Sequence, residues 1–139
     1  ILRLFTVYGL GQKDALIPDI AQKIMGQVPI TLAEGVGLYL TPIHVDDVVW
    51  VVSRMIANPS SVLDCRLLNA CGSQVVHLGE IVEILGGILG NKPVVEVTNE
   101  YAPSFKGSSN RLKEILGCYN FNGIRKGLLQ TFQKSHTIY

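Results

Sequence analysis

Two segments constrain the fold more than any other part of the chain. Ile1–Tyr8 and Cys65–Ala70 are apolar along most of their length, without a regular alternation of polar and apolar positions. A strand of that character suits burial on both faces, the situation of a parallel strand covered by helices. Ile1–Tyr8 is also rich in β-branched and aromatic residues.

Between and after these strands the period changes to that of a helix. Ile17, Ile20, Ala21, Ile24 and Met25 mark a helix over about 17–27, stopped near Gly26. Val48, Val49, Val51, Val52, Met55 and Ile56 mark a second, ended by Asn58-Pro59; it is apolar on most sides, which predicts deep burial. Asp46 is placed to cap it, and Asp47 adds negative charge to the positive helix end. Leu78–Leu89 forms a third, stopped by Gly90; shorter helices follow over 110–116 and 123–134. Pro29–Leu32 and Pro93–Thr98 read as strands, Leu38–Val45 as extended chain, and 99–109 as a polar loop. Alternating strands and helices predict an α/β fold, with 1–139 as a single region and strands that belong to a larger parallel sheet. The chain opens inside a strand without Met, so a longer parent is expected.

Composition excludes several classes. A net charge of +1 gives no electrostatic footprint for nucleic acid and no polybasic membrane patch. No apolar run approaches a membrane span. Cys65, Cys71 and Cys118 lack metal-ligand spacing and read as small reduced core thiols, in keeping with a cytoplasmic protein; no metal site is expected. The tail Ser135–Tyr139, with His136, is expected to fray.

The order of motifs resembles a known family. Leu2-Arg3-Leu4-Phe5-Thr6-Val7-Tyr8-Gly9-Leu10-Gly11-Gln12 is similar to the L-R-x-x-N-x-Y-G-P-G strand and turn of NAD(P)-dependent sugar epimerases and dehydratases, the extended short-chain dehydrogenases/reductases. Pro29–Gly35, His44-Val45-Asp46-Asp47, Leu68-Asn69-Ala70-Cys71-Gly72 and the pair Leu116-Gly117 and Gly127-Leu128 resemble later motifs of that family, in order. The resemblance implies a Rossmann-like fragment: the C-terminal, substrate-binding region, without the N-terminal dinucleotide-binding half. It implies NAD(P) as cofactor of the parent and a nucleotide sugar, or a related alcohol or ketone, as substrate.

The family's catalytic Tyr-x-x-x-Lys and its phosphate-cradling glycine-rich turn have no counterpart in these residues. Tyr8, Tyr39, Tyr101 and Tyr119 all lack a lysine four positions on. No catalytic residue is therefore assigned. The chain alone is expected to be inactive and to hold no dinucleotide tightly, and apolar faces left open predict self-association. A non-catalytic binding or scaffold module is the alternative.

Residue by residue, the resemblance places Leu4 and Phe5 against the nicotinamide and Thr6 and Tyr8 near the substrate. Thr6 stands where relatives often carry an Asn that bonds the diphosphate or sugar. Leu16, Ile17 and Pro18 open the helix that covers the nucleotide base in relatives, and Ile30 and Leu32 stand where the base packs. Each of these apolar positions is equally suited to ordinary core. Leu40 replaces an Arg that pairs with phosphate in relatives; either another cation, Lys13, Lys106 or Arg111, serves instead, or the substrate is not a typical nucleotide sugar. His44 reads as structural, and His77 has no evident partner in the sequence.

Overall fold

The computed structural model describes residues 1–63, 65–117 and 119–133. Its elements follow the α/β alternation. Strand β1 (Leu2–Leu4) and β2 (Val7–Tyr8) precede helix α1 (Leu16–Met25) and β3 (Ile30–Ala33). Then come β4 (Tyr39–Leu40), β5 (Ile43–His44), α2 (Val45–Ala57), a short 3-10 turn (Pro59–Ser61), β6 (Leu68–Ala70) and β7 (Val76–His77). The chain continues with α3 (Leu78–Leu89), β8 (Val95–Thr98), β9 (Ser104–Phe105), α4 (Asn110–Leu116) and α5 (Ile124–Gln133).

Parallel pairing dominates. β1 runs parallel to β6, β2 to β5, and β3 to β8; β4 lies between antiparallel β7 and parallel β9. The chain thus has an α/β fold with parallel strands, as the alternation predicts.

Two cores hold these pairs. In the first, Ile17, Ile20 and Ile24 of α1 face Ile81, Val82 and Leu85 of α3, with Ile124 and Leu128 of α5 and Ile30 and Leu32 of β3 closing the sides. Burying each such side chain stabilises the fold by about 1.5–3 kcal/mol. In the second, Val51 of α2, Leu68 of β6, and Leu112 and Leu116 of α4 meet Phe121. Trp50 stacks on Tyr119 at its edge, ring centroids 4.3 Å apart.

The structure departs from the sequence expectations in identifiable places. The strand expected over 1–8 is two, and that expected over 65–70 narrows to Leu68–Ala70. The polar loop 99–109 contains β9, which extends the β7–β4 pair. Helix α2 is not deeply buried: only Asp47 and Val51 are, while Val49 and Ile56 stand 58% and 74% exposed. Only one side of α2 meets other described elements, so its apolar stripe Val45, Val49, Val52 and Ile56 faces outward. Arg3 and Leu4 are likewise exposed and Leu2 half-buried, so β1 is not buried on both faces. Cys71 is buried and Cys65 half-buried, both free thiols; Cys118, Lys134 and the tail lie outside the described residues.

Both long helices after α1 begin with a histidine cap. Helix α2 starts two residues before the expected position, so His44 rather than Asp46 is its cap: its Nδ1 accepts from the Asp46 backbone N–H at 3.3 Å. His77 does the same for α3, accepting from Glu80 N–H at 3.1 Å, and so has the partner that the sequence alone did not suggest. Each satisfies one of the four donors a helix start leaves free.

Candidate functional site

The strand break at Phe5–Thr6 sets the geometry of the site. Leu2, Arg3 and Leu4 stand opposite Leu68, Asn69 and Ala70, and Phe5 N–H still donates to Ala70 O at 3.1 Å. One residue later Thr6 O accepts from Ile43 N–H at 3.2 Å, and β2 continues along β5. The chain therefore leaves one parallel neighbour and joins another within two residues. Thr6 makes the turn with φ +33°, in a region that a β-branched residue seldom enters. Such backbone costs about 1–3 kcal/mol and persists where surroundings enforce it, often at ligand sites. The carboxyl ends of parallel strands that diverge in this way are also where open α/β sheets form their crevices.

Two walls flank the break. On one side the turn Gly9–Gln12 lies against Val45 and leaves a shallow pocket of about 220 Å³. Gln12 Nε2 pins this turn by donating to Val7 O at 3.0 Å. Gly9 is required there, because a Cβ would overlap the Val45 side chain. On the other side the Phe5 ring rests on Gly107, where an added Cβ would lie 2.7 Å from the ring. Gly107 N–H donates to the hydroxyl of buried Thr41 at 2.9 Å, which fixes the loop beside Phe5.

The residues singled out in the sequence fall into two groups. Leu4, Phe5 and Thr6 are together at the strand break, Leu4 exposed and Phe5 and Thr6 half-buried. Leu16 packs half-buried at the edge of the first core, and Pro18 lines a surface pocket on the same helix. Ile17, Ile30 and Leu32 lie inside that core, 2–4% exposed. Tyr8 is 1% exposed, and its hydroxyl finds no hydrogen-bond partner among the described residues. The candidate cations are apart from one another: Lys13 is exposed, Lys106 lies over the Tyr39 ring at 5.6 Å, and Arg111 reaches Cys65 Sγ at 3.9 Å.

Buried titratable groups cluster behind the break. The Tyr8 phenol is raised far above its ordinary value, first by burial and then by the nearby Asp47 carboxylate. Its ring meets the His44 ring edge-on at 5.3 Å. Asp47 is raised by burial, which Asn122 counters by donating from both its backbone N–H and its side chain. Burial also raises the Cys71 thiol, against hydrogen bonds from Ser109 and Thr41. These groups hold the scaffold rather than face solvent. No cluster of His, Cys, Asp and Glu that could bind a metal occurs among the described residues.

Sequence reasoning passed over Gly107, Gln74 and Asn122, and gave Thr41, the neighbour of Leu40, no role of its own. The dipeptide Asn122-Gly123 was the available signal for a turn that brings α5 back to α2. Nothing local marks Thr41 or Gln74, whose partners Gly107 and Ile124 are 66 and 50 positions away.

The class that this arrangement defines is a Rossmann-like α/β fold of parallel strands with a crevice at their carboxyl ends. More particularly, it is the fold of part of the extended short-chain dehydrogenases/reductases. The chain is similar over 100% of its length to UDP-glucuronic acid 4-epimerase from Bacillus cereus, solved with UDP-4-deoxy-4-fluoro-glucuronic acid and NAD, at 18% identity and a TM-score of 0.83. It covers 45% of that enzyme. It is similar in the same way to TunA, an NAD-dependent NDP-hexosamine 5,6-dehydratase of tunicamycin biosynthesis, at 19% identity and TM-score 0.79, covering all of this chain and 46% of that one. A third likeness is to dTDP-glucose 4,6-dehydratase from Bacillus anthracis, solved with NAD, at 18% identity and TM-score 0.76, over 99% of this chain and 44% of that one. The chain thus spans less than half the length of these enzymes. No family model matches it, and no curated protein does.

Proposed function

We propose that the chain is the C-terminal, substrate-side region of an NAD(P)-dependent sugar-nucleotide epimerase or dehydratase, inactive by itself. The observation that carries this reading is the strained switch at Thr6, between two parallel strand pairs, in a fold that these enzymes share. Leu4 and Phe5 offer an apolar surface suited to a nicotinamide ring, which would supply hydride transfer in the complete enzyme. The residues present fit only that end of the cofactor, since the sequence carries no glycine-rich turn for the pyrophosphate. Thr6 presents one hydroxyl to the substrate, and Leu16 flanks the base. Ile17, Ile30 and Leu32 shape that wall from inside the core. The other domain, holding the dinucleotide, the base Tyr and its Lys, completes the enzyme in the cytoplasm.

A non-catalytic binding module is the second reading; Leu40, which stands where an Arg would meet phosphate and is 2% exposed, counts against a typical nucleotide sugar rather than between the two readings. Calorimetry of the 139-residue chain with UDP-glucuronic acid and with NAD tests the proposal. Weak, Thr6-dependent binding of the sugar nucleotide, with NAD binding weaker still, supports it. Absence of any UDP-sugar binding, or tight NAD binding without it, overturns it. The coding sequence upstream of Ile1 separates the two readings, because only the enzyme requires a glycine-rich turn and Tyr-x-x-x-Lys there.

A further inference from the structure

The loop after β9 and the start of α4 carry three cations and no acid between Tyr101 and Lys113: Lys106, Arg111 and Lys113. Lys106 and Arg111 are taken up by Tyr39 and Cys65. Lys113 lies over the Phe121 ring at 5.7 Å and also lines a pocket of about 140 Å³ between that segment and the turn after β6. Its walls include Thr41, Ser73, Gln74, Ser108 and Asn110, and none of the ten lining residues is Asp or Glu. The turn cannot close over it with a side chain at Gly72, where a Cβ would overlap the Pro42 carbonyl.

Hydrogen bonding leaves this pocket rich in donors. Gln74 Oε1 accepts from Ile124 N–H at 3.0 Å, so its amide nitrogen is left to donate. Thr41 Oγ1 accepts from Gly107 N–H, and Thr41 and Ser109 are both drawn toward the Cys71 thiol. Ser108 Oγ accepts from Asn110 N–H at 3.4 Å, which leaves its hydroxyl proton free for a ligand. Ser73, the Asn110 amide and the Lys113 ammonium add further donors. The volume corresponds to roughly five waters at ~30 Å³ each, well short of the ~300 Å³ or more of a cofactor pocket. Donors of this kind, with one cation and no opposing carboxylate, suit a compact oxyanion.

We propose that this pocket, which shares Thr41 and Gly107 with the wall beside Phe5, binds a phosphate group, with Lys113 as its charge partner. The inference is independent of the enzymatic reading, because it rests on the wall of the pocket alone.

The test is the unfolding midpoint of the full chain with inorganic phosphate, UMP or uridine, each against chloride at matched ionic strength. The same series is run on Lys113→Gln and on Lys23→Gln, a charge-matched control exposed on α1, away from the pocket. Phosphate stabilises proteins generally by exclusion from their surface, so only the difference between variants is read. Loss of one charged hydrogen bond weakens binding by about tenfold or more. A phosphate shift lost in Lys113→Gln and kept in Lys23→Gln supports a site for free phosphate. A Lys113-dependent shift with UMP but not with phosphate or uridine supports the same group carried on a larger ligand. If neither the phosphate shift nor the UMP shift falls in Lys113→Gln, or if both variants lose the shift equally, the proposal is overturned.

Discussion

Asp47, fully buried in the first turn of α2, accepts two hydrogen bonds from Asn122, one from the backbone N–H at 3.0 Å and one from the side-chain amide at 2.9 Å. This single pair ties α2 to the turn before α5 across 75 positions of sequence. Asp47→Ala leaves both donors of Asn122 without an acceptor, and stability should fall by about 1–3 kcal/mol. Urea unfolding measures this directly; an unchanged midpoint would show that water replaces the carboxylate at no cost.

The same carboxyl predicts a pH effect. Burial raises Asp47 above the ordinary carboxylate value, so the folded state holds its proton more tightly than the unfolded chain. Its contribution is fully present below the unfolded pKa and is lost as pH rises through the folded one. Asp47→Asn, which does not ionise, should flatten that part of the stability profile. Unfolding midpoints across the acid range, compared for the two chains, check the sign.

Tyr8 and Gly127 form a second constrained pair. A Cβ on Gly127 would overlap the Tyr8 hydroxyl, which itself is buried without a partner among the described residues. Tyr8→Phe removes an unsatisfied polar group, and should be neutral or stabilising by about 1 kcal/mol. Gly127→Ala should destabilise, and Tyr8→Phe in the same chain should restore part of the loss. Thermal melts of the three variants decide; independent, additive effects would remove the contact from the account.

His77→Ala deletes the cap of α3, which lies between α1 and α5, and should cost about 1 kcal/mol. His77→Asn, which keeps an acceptor at the cap, should retain most of it. If both variants lose equally, the edge-on contact of His77 with Tyr39, 6.0 Å between ring centroids, matters more than the cap.

The outward stripe of α2 bears on association. We expect the isolated chain to self-associate in a concentration-dependent way, and Val49→Lys with Ile56→Glu to shift it toward monomer. Sedimentation at several concentrations measures this.

The local chemistry of the chain determined its elements. Helical spacing placed α1 and α3 almost to the residue, and Gly90, with φ +69°, ends α3 as read. Continuous apolar character identified parallel strands, because such strands need no polar face. What it could not supply was anything fixed by a distant neighbour. Ile1–Tyr8 reads as one strand, and only the competing partners β6 and β5 break it at Thr6. The stripe of α2 looks like core, since periodicity records which residues share a face and not whether another element covers it. Ile17, Ile30 and Leu32 fit a ligand wall and a core equally well in sequence, and packing of α1 on α3 and β3 sent them inward. His77 as a cap, the Asp47–Asn122 tie and the donor-lined pocket at Lys113 arise from tertiary closure, which brings together groups that the chain separates by tens of residues.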